Sequence, residues 1–245
     1  MELEKTAILS QLQRQILPLQ GLKKLHTDND VSINCEAIEQ AFPNNCFPIG
    51  CTHEFITHCL EDAAPTSGFI ASILGKLMRL GGVCIWISTN RYLFPPALIR
   101  FNITPENIIF IDLKCEKDIL YVTEEALKCN KITAVIAEIK KLSFKESRRF
   151  QLAAEQSRAT GFIIRPQQKN ISTIASVSKW RITSLPSQLE EGMPGIGFPR
   201  WNVELLKIRN GTPSKWIVEW ANDNFNIIKE QVETIARYEG LRKVS

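Results

Sequence analysis

The sequence predicts an α/β fold with a mostly parallel sheet and a small antiparallel extension near the C-terminus. Short continuous apolar runs alternate with longer stretches that are apolar at helical spacing. The runs are VCIWIS (Val83–Ser88), NIIFID (Asn107–Asp112), TAVIAEI (Thr133–Ile139) and GFII (Gly161–Ile164). Strands buried on both faces read this way, and their alternation with helices implies parallel pairing. After Pro166 the pattern becomes alternating, and Asn210-Gly211 between two such stretches signals an antiparallel hairpin.

The chain has 245 residues, 44% of them hydrophobic and 23% charged, which suits one α/β domain with small additions. The net charge of +4 permits nucleic-acid contact without demanding it. No apolar run reaches the ~18 residues of a membrane span. The N-terminus MELEKTAILSQLQRQ has no apolar core of a secretory signal. Seven cysteines without framework spacing suggest buried free thiols in a reducing cytoplasm. Cys46, Cys51, His53, His58 and Cys59 cluster in sequence but contain no C-x₂-C pair. Strand alternation would split them between two faces, so they read as ordinary core and surface residues and no metal is expected.

Taken in order, Leu3–Leu19 predicts a helix, with Leu9, Leu12, Ile16 and Leu19 forming a narrow seam. That seam suits packing on its own domain or on a partner. Lys23–Asn34 reads as polar linker and Cys35–Phe42 as a short helix stopped by Pro43. Cys51–Leu60 reads as a strand, Glu61–Gly68 as a turn-rich loop, and Phe69–Leu80 as a helix closed by Gly81-Gly82. Pro95-Pro96 suits a helix start over Ala97–Arg100. Helices follow at Lys117–Lys128, with Ile119, Val122 and Leu127 inward, and at Ser143–Thr160, carrying Phe144, Phe150, Leu152 and Ala153. Ala175–Thr183 alternates like a half-exposed strand, and Asn202–Arg209 pairs with Lys215–Trp220. Phe225–Tyr238 reads as a last helix with Ile227, Ile228, Val232 and Ile235 on one stripe, then a basic tail. The expected divisions are an N-terminal helix (1–22), a linker with a short helix (23–47), the core with its hairpin (48–221), and a C-terminal helix and tail (222–245).

Strand, small-residue loop and helix is the local architecture of a phosphate-binding P-loop. A working P-loop reads G-x-x-x-x-G-K-[ST], for phosphate wrapping, charge neutralisation and Mg²⁺. Aligned on Gly68, Ala63 replaces the first glycine, Ser67 precedes the second, Phe69 replaces the lysine and Ile70 the hydroxyl residue. The loop is degenerate, its shape expected and its chemistry lost.

The order of elements resembles a RecA-like core. The segment GGVCIWISTNRYLFPPALIRFNITPENIIFI, then KITAVIAEI and GFIIRP, carries that likeness. SRRFQLAAEQSRATGFIIRP followed by WNVELLKIRNGTPSKWIVEW is similar to the ImuA family of RecA-like and SulA-like proteins of error-prone repair, over roughly residues 48–221. The resemblance places Glu138 at a vestigial Walker B position, where an exposed acid at a strand end is its ordinary reading. It places Asn90 where the family's water-activating Glu would stand, and an amide cannot take that proton. Phosphoryl transfer rests on positioning and charge neutralisation, so three missing groups argue against an enzyme. No cofactor is implied.

The family's DNA-binding loops would correspond here to Lys140, Lys141, Lys145, Arg148 and Arg149, and to Gln167–Asn170 with Lys169. The first set also reads as a solvated helix start. The implied role is an accessory one in SOS-induced translesion synthesis, scaffolding a mutagenic polymerase complex at damaged DNA. Implied partners are the Y-family-like polymerase homologue ImuB and an error-prone C-family polymerase, with RecA and DNA beyond them. Partner-helix candidates are the Leu9/Leu12/Ile16/Leu19 seam and Ile228 with Val232. Alternatives are a SulA-like cell-division inhibitor and a divergent nucleotide-binding ATPase.

Overall fold

The computed structural model describes residues 32–91, 93–166, 173–188 and 197–228. Among them, nine strands form one sheet in the order β3-β2-β4-β5-β1-β6-β7-β8-β9. The strands are β1 Thr52–Ile56, β2 Val83–Ser88, β3 Ile108–Asp112, β4 Ile132–Glu138, β5 Thr160–Arg165, β6 Ser178–Leu185, β7 Arg200–Ile208, β8 Ser214–Ala221 and β9 Asn224–Ile227. Pairing from β3 through β6 is parallel and from β6 to β9 antiparallel. Both halves of the expected architecture are present. The helices are α1 Glu36–Glu39, α2 Ala63–Leu77, α3 Glu116–Lys128 and α4 Phe144–Ser157, and Pro95–Phe101 forms a 3-10 helix. No helix of the described residues is long and apolar enough to cross a membrane.

The sheet is covered on both faces. On one, α2 packs over an aromatic-rich core that includes Phe55, Phe69, Trp86, Phe162, Trp180, Trp201 and Phe225. On the other, α3 and α4 cover an aliphatic core of Ile85, Ile87, Val135, Ala137 and Ile163. Ile119 and Leu127 bury from α3, and Phe150 and Ala153 from α4. Phe144 and Leu152, expected among the apolar residues of that helix, instead project outward. α4 begins at a capping box: Ser143 Oγ accepts from the Glu146 amide, and the Glu146 carboxylate accepts from the Ser143 amide at 2.8 Å.

Three expectations need correction. The segment Glu61–Gly68 is not a loop, because α2 already starts at Ala63. Ala63-Ala64 are strong helix formers, and Pro65 falls in the first turn, where its missing N–H costs nothing. Phe225 and Ile227 do not begin a helix. They lie in β9, paired with Trp220 and Val218, and the Ile228 amide continues the ladder to the Ile217 carbonyl. Val232 and Ile235 lie outside the described residues, as do Leu9, Leu12, Ile16, Leu19 and Lys169. The end of the stretch read as polar linker is also part of the core: Ile33 is buried with Ile38, Phe42 and Phe47.

Gly75 fixes how the 3-10 segment meets α2. A Cβ there would lie 2.0 Å from the Phe101 carbonyl oxygen, so only glycine lets the two backbones touch. Gly75→Ala is therefore expected to destabilise the protein by about 2 kcal/mol, the clash outweighing the ~1 kcal/mol that alanine gains in a helix. Denaturant midpoints measure this, and an equal or higher midpoint would refute the tight contact.

Candidate functional site

Sequence reasoning directs attention to the C-terminal end of β1 and the turn into α2. The turn runs from Thr57 to Asp62. In a phosphate-binding loop the amide groups here would face an anion. In this protein they already have one. The buried Asp62 carboxylate accepts from the His58 amide at 3.0 Å and from the Cys59 amide at 3.4 Å. The internal carboxylate takes donors that a phosphate would need, and its own charge would repel one.

The residues aligned with the P-loop follow on α2. Phe69 and Ile70 are fully buried, and Phe69 sits among the rings of Phe55, Trp180, Trp201 and Phe225 at centroid distances of 5.4–6.3 Å. Ala63, Ser67 and Gly68 instead line a surface groove. Its cavity volume is about 710 Å³, and its other walls are the 3-10 segment, through Leu98 and Phe101, and the start of β7, through Pro199 and Trp201. Gly68 meets the Trp201 ring so closely that a Cβ would lie 3.0 Å from it.

Glu138 is not an exposed acid. It is half-buried at the end of β4 and accepts a hydrogen bond from Trp86 Nε1 at 3.1 Å. Burial raises its pKa above the usual carboxylate range, the Trp86 bond opposes this, and the Asp112 charge adds to it. Asn90 lies exposed just beyond β2.

The partners of two polar residues on β1 escaped sequence reasoning. Glu54 is completely buried and pairs with Arg165 at 3.1 Å and Lys179 at 3.0 Å. A charged residue inside the strand THEFI was the available signal, since an uncompensated buried charge is costly. His53, on the opposite face, is also fully buried. Its Nε2 donates to the Pro48 carbonyl at 2.8 Å, and its Nδ1 accepts from Ser178 Oγ at 2.6 Å. The Cys51 sulfur touches the same ring at 3.5 Å, while His58 and Cys59 fall beyond the end of β1. Among the described residues no group of three or more His, Cys, Asp or Glu could hold a metal ion.

The basic set gathers where α4 starts. Lys140 and Lys141 precede the helix, and Lys145, Arg148 and Arg149 are exposed on it. Arg149 is partly neutralised by an ion pair with Glu124 of α3. Phe144 stands beside Lys145 at 59% exposure.

No family model matches the chain. Protein ImuA of Caulobacter vibrioides (strain NA1000 / CB15N) is 32% identical over 195 residues, covering 75% of this chain and 80% of that protein. The chain belongs to the ImuA family. Protein ImuA of a second Caulobacter vibrioides strain, ATCC 19089, matches to the same extent. The cell division inhibitor SulA of Photorhabdus laumondii is 29% identical over 114 residues, 45% of this ImuA-family chain and 64% of that protein. Among solved structures, SulA from Pseudomonas aeruginosa aligns with a TM-score of 0.41 at 21% identity, over 47% of this chain and 97% of that one.

His53 makes the fold acid-sensitive. Burial pushes its pKa down to about 4 from 6.5, against the upward pull of the Pro48 bond. The folded protein therefore refuses a proton that the unfolded chain accepts. Stability is complete above pH 6.5 and falls as the pH drops from 6.5 towards 4, by roughly 3 kcal/mol over that interval. Replacing His53 with Asn should flatten the dependence of the denaturant midpoint over this range, the carboxylates contributing alike in both proteins. Superimposable pH profiles would remove His53 from the account.

Proposed function

We propose that this ImuA-family chain is a non-catalytic, RecA-like accessory protein of SOS-induced translesion synthesis that helps assemble a mutagenic polymerase complex at damaged DNA. The observation that carries the reading is the kinship with Protein ImuA over three quarters of the chain. The site geometry supports the non-catalytic part. Asp62 occupies the turn amides, and Phe69 fills the place of the phosphate-binding cation. Bringing a triphosphate to Phe69 and Ile70 would strip its hydration and return no positive charge. A divergent ATPase is disfavoured for the same reason. The sheet order, with β1 between β5 and β6, supports descent from a RecA-like core with a vestigial P-loop. The cell-division-inhibitor reading rests on a shorter match, 45% of the chain against 75%.

Without nucleotide energy, the work of such a protein is recruitment in the cytoplasm. The partners this reading implies are the polymerase-like ImuB, an error-prone C-family polymerase, RecA and DNA. One surface for nucleic acid is the start of α4, where Lys140, Lys141, Lys145, Arg148 and Arg149 would meet phosphates and Phe144 offers a face for a base. Lys169 belongs to the same proposal from the sequence side. Reversing Lys141 and Arg149 to Glu should abolish DNA binding that weakens steeply with salt. Binding insensitive to salt, or untouched by the reversal, would refute the patch.

Protein partners fall to the chain termini. Either the Leu9/Leu12/Ile16/Leu19 seam or the segment from Ile228 through Val232 would supply apolar anchors to a groove on the polymerase homologue. Leu12→Asp with Ile16→Asp, or Ile228→Asp with Val232→Asp, should abolish co-purification with that homologue while circular dichroism stays unchanged. Wild-type affinity in both double mutants would place the interface elsewhere. Capture of a tubulin-like division protein instead of the polymerase homologue would favour the SulA-like reading.

A further inference from the structure

We propose that the groove between α2, the 3-10 segment and the start of β7 is the seat of this chain's own N-terminal segment, Leu3–Leu19. The inference bears on the repair reading at one point: it seats the N-terminal seam within the chain, which leaves the segment from Ile228 through Val232 as the partner anchor.

The groove is shaped to take an apolar helix. Its rim exposes Leu60 by 56%, Phe94 by 67% and Phe198 by 46%. Large apolar side chains gathered around one cavity of about 710 Å³ mark a surface that is normally covered. The floor on α2 carries Ala64, Ser67, Gly68 and Ala71. Small side chains there leave the ridge low enough for a second helix to lie against it, with its own side chains filling the space.

The occupant must be apolar on one side and able to reach the groove. Leu9, Leu12, Ile16 and Leu19 fall on one helical stripe, while the rest of that stretch is rich in Gln, Glu, Lys and Arg. The described chain begins at Ser32, beside the C-terminal end of α2, where Asn224 accepts from Lys76 Nζ at 3.1 Å. The Asn34 side-chain amide donates to Asn224 Oδ1 at 3.4 Å, at the start of β9. The next residue, Phe225, touches Trp220 at 5.0 Å, and Trp220 touches Phe101 of the groove wall at 5.6 Å. The intervening residues, Gln20–Val31, can extend to roughly 40 Å, enough to run the roughly 22 Å length of α2 to the groove. The C-terminal segment is a weaker fit. Ile227 and Ile228 are committed to β9 and its ladder, which leaves Val232 and Ile235 as its anchors.

Hydrogen–deuterium exchange on the full-length protein, held at a concentration where light scattering gives a monomer mass, tests the assignment. Amides of residues 3–19 should be protected. Two groove variants at exposed positions, Ala64→Trp and Phe94→Ser, should each release that protection by roughly tenfold or more while β1, β4 and β5 exchange as in the wild type. Leu12→Asp with Ile16→Asp should do the same. Unprotected amides in the wild type would overturn the proposal. So would protection that survives both groove variants, which would seat the segment elsewhere. Protection that appears only with a dimer mass would assign the groove to a second copy, and likewise overturn it.

Discussion

The packing of Phe69 is the interaction on which the two halves of this molecule depend. Its ring touches Phe55 of β1, Trp180 of β6, Trp201 of β7 and Phe225 of β9. Those strands span the change from parallel to antiparallel pairing. A single helical side chain thus joins the parallel half to the C-terminal extension. A cation at this position would be surrounded by rings and by Ile70 and Ile73, with its water removed. The apolar joint and a phosphate-neutralising charge cannot occupy the same residue, and this chain holds the joint.

The polar groups near β1 follow the same inward logic. Asp62 turns back onto the amides of its own turn, Glu54 holds Arg165 and Lys179, and His53 bridges Pro48 and Ser178. Each group meets its partners within the chain. A buried triad such as Glu54–Arg165–Lys179 contributes little net stability when intact, yet its disruption leaves charges stranded. These residues therefore specify how β5, β1 and β6 align and present nothing to a substrate. What the protein offers to other molecules lies on its surfaces.

Much of the sheet was legible in the sequence because strands buried on both faces cannot disguise their continuous apolar runs. VCIWIS, TAVIAEI and GFII gave β2, β4 and β5, and Asn210, at φ 58°, gave the β7–β8 turn. The misreadings have physical causes. EDAAPTSG contains turn-forming residues, but the two alanines let the helix start early, at Ala63. Phe225–Ile228 has helical spacing, but the free edge of β8 captured it as β9. Charged and polar residues in a strand are read as outward-facing, so the burial of Glu54 was not foreseen and the partners of His53 were not; Arg165 and Ser178, more than a hundred residues away, help to make their burial tolerable. Phe144 and Leu152 looked like core until the helix phase, set by the Ser143–Glu146 cap, turned them to solvent. The groove had no local signature, since its three walls come from segments far apart in the chain.

The sheet also separates what the surfaces can do. The groove lies on the α2 face, over the aromatic core, and the basic residues of α4 lie on the face covered by α3 and α4, over the aliphatic core. The two surfaces differ in chemistry as well as position. One is apolar; the other is cationic, with one exposed ring. Two packed layers stand between them, so a ligand on one face does not occlude the other. The β1–α2 turn is closed by Asp62 and the buried Phe69, while an apolar and a basic surface stay open on opposite sides. A ligand on either surface can shift the chain only by as much as it binds one arrangement better than another.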